Sequence, residues 1–152
     1  MADYKVAASP LTLISYGLGS CVGVSLFDED KKIGGLAHIM LPKGGENTEP
    51  KFFPRYADTA IKLMLSDMEA LGCDRGKLVA KFAGGSSMFP GLKKDDKSIG
   101  ERNVDAVVEI FNLLQIPVSA SDTGGSHGRS IRFNAETGEM KISSVRQETI
   151  II

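Results

Sequence analysis

The feature that most constrains this 152-residue chain is a pair of alternating runs near its N-terminus. From Cys21 the sequence reads Cys-Val-Gly-Val-Ser-Leu-Phe, so Val22, Val24 and Leu26 recur with a period of two while Cys21, Gly23 and Ser25 take the other face. The polar stretch Asp28-Glu29-Asp30-Lys31-Lys32 separates this run from a second one, Ile33 to Met40. Such patterning around a polar turn specifies an antiparallel hairpin with one buried apolar face. Opposed residue numbers in an antiparallel pair sum to a constant. A turn centred between Glu29 and Asp30 sets it at 59, placing Cys21 opposite His38 and pairing Val22 with Ala37, Val24 with Gly35 and Leu26 with Ile33. Cys21 and His38 then lie on one face with Cβ atoms about 4.5–5.5 Å apart. A one-residue slip would separate them, but it would also mix the apolar set with the polar one.

A thiol beside an imidazole has a specific chemical meaning. The thiolate is the nucleophile, and the imidazole can take its proton. Gly17-Leu18-Gly19-Ser20 immediately precedes the cysteine. Backbone of that kind can aim N–H groups at an oxyanion, which makes the loop at Gly19 and Ser20 a candidate oxyanion site. Ser15, six residues before Cys21, is placed to return across the glycine turn and hydrogen-bond His38 as the orienting third member of a cysteine–histidine site. Packing roles stand beside these readings, because a cysteine on a strand is often a small buried hydrophobe. Cys73, directly after Gly72, reads as packing, and nothing obliges His127 to meet Cys21.

Composition excludes several classes. Eighteen basic and nineteen acidic residues give a net charge of -1, which lacks the basic footprint of a nonspecific nucleic-acid binder. No apolar run approaches the roughly 20 residues of a membrane span, and Met1-Ala2-Asp3-Tyr4-Lys5 lacks the order of a signal peptide, so the expectation is a cytoplasmic domain without membrane insertion. Two cysteines make no disulfide framework, and with two histidines they form none of the close pairs of a structural zinc site. No metal or other cofactor is expected. Gly17 to Val22 has valine where a dinucleotide motif needs its third glycine and leads into a strand, and Gly84-Gly85-Ser86-Ser87 lacks the P-loop lysine.

The rest of the chain reads as one domain over residues 1–152, its motif-bearing part spanning about 11–145. Strands are expected at Leu11–Tyr16, Cys21–Phe27, Ile33–Met40, Leu78–Phe82, Val118–Ser121, Ser130–Asn134 and Glu139–Val145. Leu41 to Arg55, with three prolines, reads as a long loop of the kind that lies over a site. Ala57, Ala60, Ile61, Met64, Met68 and Leu71 recur at helical spacing before Gly72. A second helix opens at Ser98-Ile99-Gly100-Glu101, a capping box, and presents Val104, Val107, Val108, Phe111 and Leu114. Thr149 to Ile152 is either an edge strand or a frayed end. Seven strands and two helices make a mixed α+β or α/β domain in layers.

Five segments in order now identify a resemblance: Gly17-Leu18-Gly19-Ser20-Cys21, Ala37-His38-Ile39-Met40-Leu41-Pro42, Gly84-Gly85-Ser86-Ser87-Met88-Phe89, Ile99-Gly100-Glu101-Arg102-Asn103, and Asp122-Thr123-Gly124-Gly125 with Gly128-Arg129. Together they resemble the CheD family, chemoreceptor glutamine deamidases of bacterial and archaeal chemotaxis. The resemblance implies a three-layer α-β-β sandwich with a mixed β-sheet core, similar to the deamidase domain of cytotoxic necrotizing factor toxins. It assigns the catalytic cysteine and histidine to Cys21 and His38. The third position is typically threonine and here is Ser15, which keeps the hydroxyl but loses the methyl that restricts its rotamer. The implied substrate is a glutamine on the cytoplasmic helices of a chemoreceptor, with Gly84, Gly85, Ser87, Met88 and Phe89 as a rim for the docked helix. Met88 and Phe89 suit a core role equally well.

The resemblance also implies a CheC-type phosphatase as partner. That opens a second reading, a chemotaxis adaptor that binds and stimulates the phosphatase with little deamidase activity. A cysteine protease or transglutaminase would share the chemistry and differ in substrate and acceptor.

Overall fold

The computed structural model describes residues 2–88, 97–145 and 147–152. Among them the chain forms nine strands and two α-helices: β1 (Tyr4–Ala8), β2 (Thr12–Leu18), β3 (Val22–Asp28), β4 (Ile33–Ile39), α1 (Ala57–Ala70), β5 (Leu78–Gly84), α2 (Ile99–Leu114), β6 (Val118–Thr123), β7 (Arg129–Asn134), β8 (Met140–Ser144) and β9 (Ile150–Ile151). The first five-stranded sheet has the order β1-β4-β3-β5-β6, and the second, four-stranded sheet has the order β2-β7-β8-β9. All pairings are antiparallel except β5 with β6, which α2 connects as a parallel crossover.

Two apolar cores define three layers. Val22, Val24, Leu26, Ala37 and Ile39 on one face of the central sheet pack with Ile61, Met64 and Met68 of α1 and Val107, Ile110 and Phe111 of α2. On the opposite face, Leu36 and Ala83 meet Leu18, Ile131, Phe133, Met140 and Ile142 of the second sheet. The order is helices, sheet, sheet, so the mixed α/β sandwich expected from sequence is the observed architecture.

Several local expectations hold. Ser98 caps α2 with both halves of the capping box, and Gly72 follows α1 in the left-handed region at φ 90°. The closing hairpin pairs β7 with β8, Phe133 opposite Met140. Other details differ. β1 has no counterpart among the expected strands, while of the two readings of the C-terminus the edge strand is the observed one, Ile150–Ile151 pairing with β8. Val108 is exposed rather than part of the inner face of α2, and Leu71 lies just past α1, exposed. The segment after β4 does not lie over the cysteine face in its described contacts. Its Lys43 bonds Glu109 on α2, Gly44 bonds Asp58 on α1, and it contains a 3-10 turn at Pro50–Arg55.

The first hairpin's register is also corrected. The observed pairs are Val22 with Ile39, Gly23 with His38 and Val24 with Ala37, a constant of 61 rather than 59, so His38 faces Gly23 and not Cys21. The cause is Asp28, which belongs to the strand and not to the turn. Its buried carboxylate accepts from the N–H of Lys31 at 3.0 Å and of Asp74 at 3.3 Å. The four-residue connection Glu29–Lys32 then closes through Lys32 in the left-handed region at φ 53°. A shift of two residues preserves the faces, so Cys21 and His38 stay on the side toward the second sheet.

That side tolerates little volume. A Cβ at Gly34 would lie 2.3 Å from Cε1 of Phe133. Gly34→Ala should therefore destabilise by about 1–3 kcal/mol despite alanine's lower unfolded-state entropy. Gly45→Ala, whose Cβ meets nothing within 4 Å, should be close to neutral in the same urea-unfolding comparison.

Candidate active site

Cys21 sits just before β3 and His38 near the end of β4, so both stand at one end of the central sheet. Extending the register sets Cys21 diagonal to His38, a separation of about 7–8 Å between Cα atoms that an aromatic ring can bridge. Ser15 arrives from β2, in the other sheet, and its Oγ lies 3.1 Å from His38 Nδ1 in a buried hydrogen bond. A bulge in the β2–β7 pairing between Ser15 and Leu18 ends the regular ladder at this point. The other ring nitrogen, Nε2, is buried and has no hydrogen-bond partner among the described residues. The structure thus joins Ser15 to His38 directly and sets Cys21 diagonal to His38 on the same face, with no hydrogen bond between thiol and ring.

Electrostatics follow from burial. His38 is 6% exposed, and desolvation holds its imidazole below the ordinary 6.5. Desolvation likewise pushes the half-buried Cys21 thiol above 9.0, partly offset by its own backbone N–H. Both effects disfavour charge, so the resting pair is a neutral thiol beside a neutral imidazole. Cys73 is a separate matter: burial and the carboxylate of Asp28 push its thiol up to about 11.

Two glycine loops hold the cysteine. The N–H of Gly85 donates to the carbonyl of Cys21 at 2.8 Å, and the N–H of Ser86 to that of Gly19 at 2.9 Å. Gly84 makes this approach possible. Its φ is +124°, and a Cβ there would lie 2.2 Å from the Cys21 carbonyl oxygen. Met88 covers Gly19, where a Cβ would stand 3.0 Å from its Cγ, and remains 41% exposed, so it forms part of the loop's rim. The N–H of Ser87 donates to Gly125 of the neighbouring loop. Phe89, the remaining rim residue read from sequence, lies outside the described residues. A cleft of about 300 Å³ between β1 and β2 is lined by His38, Ser15, Tyr4 and Tyr16. Cys21 does not line it.

Reading the sequence assigned no role to Ser86, Arg129 or Asn103. Ser86 is fully buried, and its Oγ accepts from Arg129 Nη1 at 2.7 Å and lies 2.7 Å from the His127 carbonyl. Arg129, buried itself, also pairs through Nε with Asp122 at 2.7 Å and donates to the Gly124 carbonyl. A buried guanidinium so fully bonded fixes the loop that carries Ser86, and through it the loop before Cys21. Asn103 is fully buried on α2. Its signal was available: it falls in step with Val107 and Phe111, a polar residue on an apolar helical face.

Comparison with known proteins identifies the family. A family model described as CheD chemotactic sensory transduction matches residues 40–144. The chemoreceptor glutamine deamidase CheD of Halalkalibacterium halodurans is 48% identical over 149 residues, covering 97% of this chain and 92% of that protein. The chain belongs to the CheD family. Similar CheD proteins, each named a probable chemoreceptor glutamine deamidase, occur in Syntrophomonas wolfei, at 43% identity over 95% of this chain and 91% of that protein, and in Desulforamulus reducens, at 45% over 95% and 88%. The family match begins after Cys21 and His38, whereas the pairwise similarities span nearly the whole chain. No helix among the described residues is long and apolar enough to cross a membrane.

Two measurements check the electrostatics. An NMR titration should find the His38 midpoint below the ordinary 6.5, because burial disfavours the charged ring. Because the unfolded chain then binds the proton more readily, His38's contribution to stability is complete above about pH 6.5 and is lost as the pH falls toward the folded value. Iodoacetamide should modify Cys21 ahead of the buried Cys73, at a rate that climbs with pH and falls in His38→Ala.

Proposed function

We propose that this protein is a protein-glutamine deamidase that converts glutamine side chains on chemoreceptor cytoplasmic helices to glutamate, with Cys21 as nucleophile, His38 as acid and base, and Ser15 as orienter. The observation that carries the reading is the Ser15–His38 bond, which occupies Nδ1 and leaves a buried Nε2, without a partner among the described residues, on the face of Cys21. Membership of a family whose relatives bear the name chemoreceptor glutamine deamidase supplies the substrate class.

In the tautomer with the proton on Nδ1, the ring donates to Ser15 and Nε2 carries the lone pair. Nε2 takes the Cys21 proton as sulfur attacks the carboxamide carbon, so the thiolate forms during attack rather than beforehand, in keeping with a neutral resting pair. Backbone N–H groups of the Ser20–Cys21 segment receive the oxyanion. The imidazolium then protonates the departing amine, ammonia leaves, and a thioester remains. His38 next takes a proton from water, whose oxygen attacks the thioester. Collapse frees glutamate and returns the proton to sulfur. The reaction needs no cofactor. It belongs in the cytoplasm, where the receptor helices lie, and the chain acts as one deamidase domain, with the loop at Gly84, Gly85, Ser87 and Met88 at the rim and a CheC-type phosphatase as its regulatory partner.

The test is incubation with a recombinant chemoreceptor cytoplasmic fragment, read by ammonia release and site-resolved mass spectrometry. Cys21→Ala and His38→Ala should abolish glutamine-to-glutamate conversion. Ser15→Ala should lower kcat by about 10²-fold through loss of ring orientation, and Ser15→Thr should retain activity. Absence of conversion with receptor or phosphatase binding intact would replace this reading with the adaptor.

A further inference from the structure

Asn103 reaches across from the helix layer to both strands that carry the reactive pair. One side-chain nitrogen, Nδ2, donates to the carbonyl of Ser20 at 2.9 Å and to that of Met40 at 3.0 Å. Ser20 immediately precedes Cys21, and Met40 follows His38 by two residues. Two carbonyl partners fix the orientation of the amide, because the flipped form would set Oδ1 against both oxygens. Oδ1 itself is buried and has no hydrogen-bond partner among the described residues, a costly acceptor to leave beside these two bonds.

The peptide unit involved is the important one. In a trans peptide the C=O and N–H point in opposite directions. A Ser20 carbonyl drawn toward α2 therefore turns the Cys21 N–H away from the helices, toward the side of the thiol. Burial raises the Cys21 thiol above its ordinary value, and the nearness of its own backbone N–H offsets only part of that rise. The clamp is anchored close by. A Cβ at Gly100, in the first turn of α2, would lie 2.5 Å from the Gly85 carbonyl oxygen, so the helix start abuts the loop that bonds the Cys21 carbonyl.

We propose that Asn103 is a positioning residue for the reaction: it holds the Ser20–Cys21 peptide plane so that the Cys21 N–H is preset to receive the oxyanion, and it ties that plane to the strand bearing His38. The proposal rests on the Cys21–His38 reading above. Asn103 touches no substrate atom and acts through the peptide it holds.

Full-length protein selectively labelled with ¹⁵N-cysteine tests it, since the two amides, Cys21 and Cys73, give a probe and an internal reference. In Asn103→Ala and in the near-isosteric Asn103→Asp, the Cys21 amide resonance should move while that of Cys73, bonded to the Met68 carbonyl, stays in place. With the receptor fragment as substrate, kcat should fall by about 10²-fold, the scale of one lost oxyanion donor, with KM unchanged. A folded variant with an unmoved Cys21 amide or wild-type kcat overturns the proposal, as does equal disturbance of both cysteine amides, which marks a general structural role. If neither variant folds, the wild-type protein decides: slow hydrogen exchange of the Asn103 side-chain amide supports the clamp, and fast exchange overturns it. A wild-type protein without deamidation, or an active Cys21→Ala, would instead sink the Cys–His reading, while the amide shift would still report on the clamp.

Discussion

A central sheet covered on both faces obliges β3 and β4 to commit every side chain to a packed surroundings. Toward the helices these strands carry valine, leucine and isoleucine, which fill the larger core against α1 and α2. Toward the second sheet Gly23 and Gly34, set among Ser25, Phe27 and Leu36, leave the space into which Ile131 and Phe133 descend. Larger residues there would force the sheets apart. Cys21 and His38 lie on this narrow side at the end of the strands, where the second sheet supplies Ser15 and helps to bury the His38 ring. The same close approach of two sheets that stabilises the fold therefore buries the His38 ring and brings Ser15 to it.

Desolvation sets the chemistry. Neither group is charged at rest, because burial raises the thiol and lowers the imidazole, and no bond joins them. In the proposed reaction such a pair avoids a buried ion pair in the free protein and separates charge only as the carbonyl accepts electrons. Electrostatic help must then come from dipoles already in place. That explains the density of bonds on the backbone around Cys21: Gly85 on its carbonyl, Ser86 on Gly19, Asn103 on Ser20, with Arg129 behind Ser86. Three of the segments that resemble the CheD family converge on this one loop.

The alternation of Val22, Val24 and Leu26 with Cys21, Gly23 and Ser25 was sufficient to put cysteine and histidine on one face. So were the capping box at Ser98, the glycine after α1 and the β7–β8 hairpin, because each depends on neighbours within a few residues. The arithmetic that set Cys21 directly opposite His38 failed for a physical reason. A two-residue shift leaves every face unchanged, so periodicity encodes the face of a strand and not its register. The register was decided by the Asp28 carboxylate, held partly by an N–H 46 residues away.

Long-range partners account for the remainder. Ser15 finds His38 across two sheets rather than across a glycine turn, β6 joins β5 in parallel after a helical crossover, and Asn103 bonds carbonyls 83 and 63 residues distant. Its polar amide on an apolar helical stripe was visible in the sequence, but its partners were not, since main-chain carbonyls leave no mark on residue type. Which side chains share a face and which turns close follow from residue order, because local periodicity and backbone sterics govern both. Which of them touch is settled between layers, because such contact depends on register and on packing distances that no single element contains.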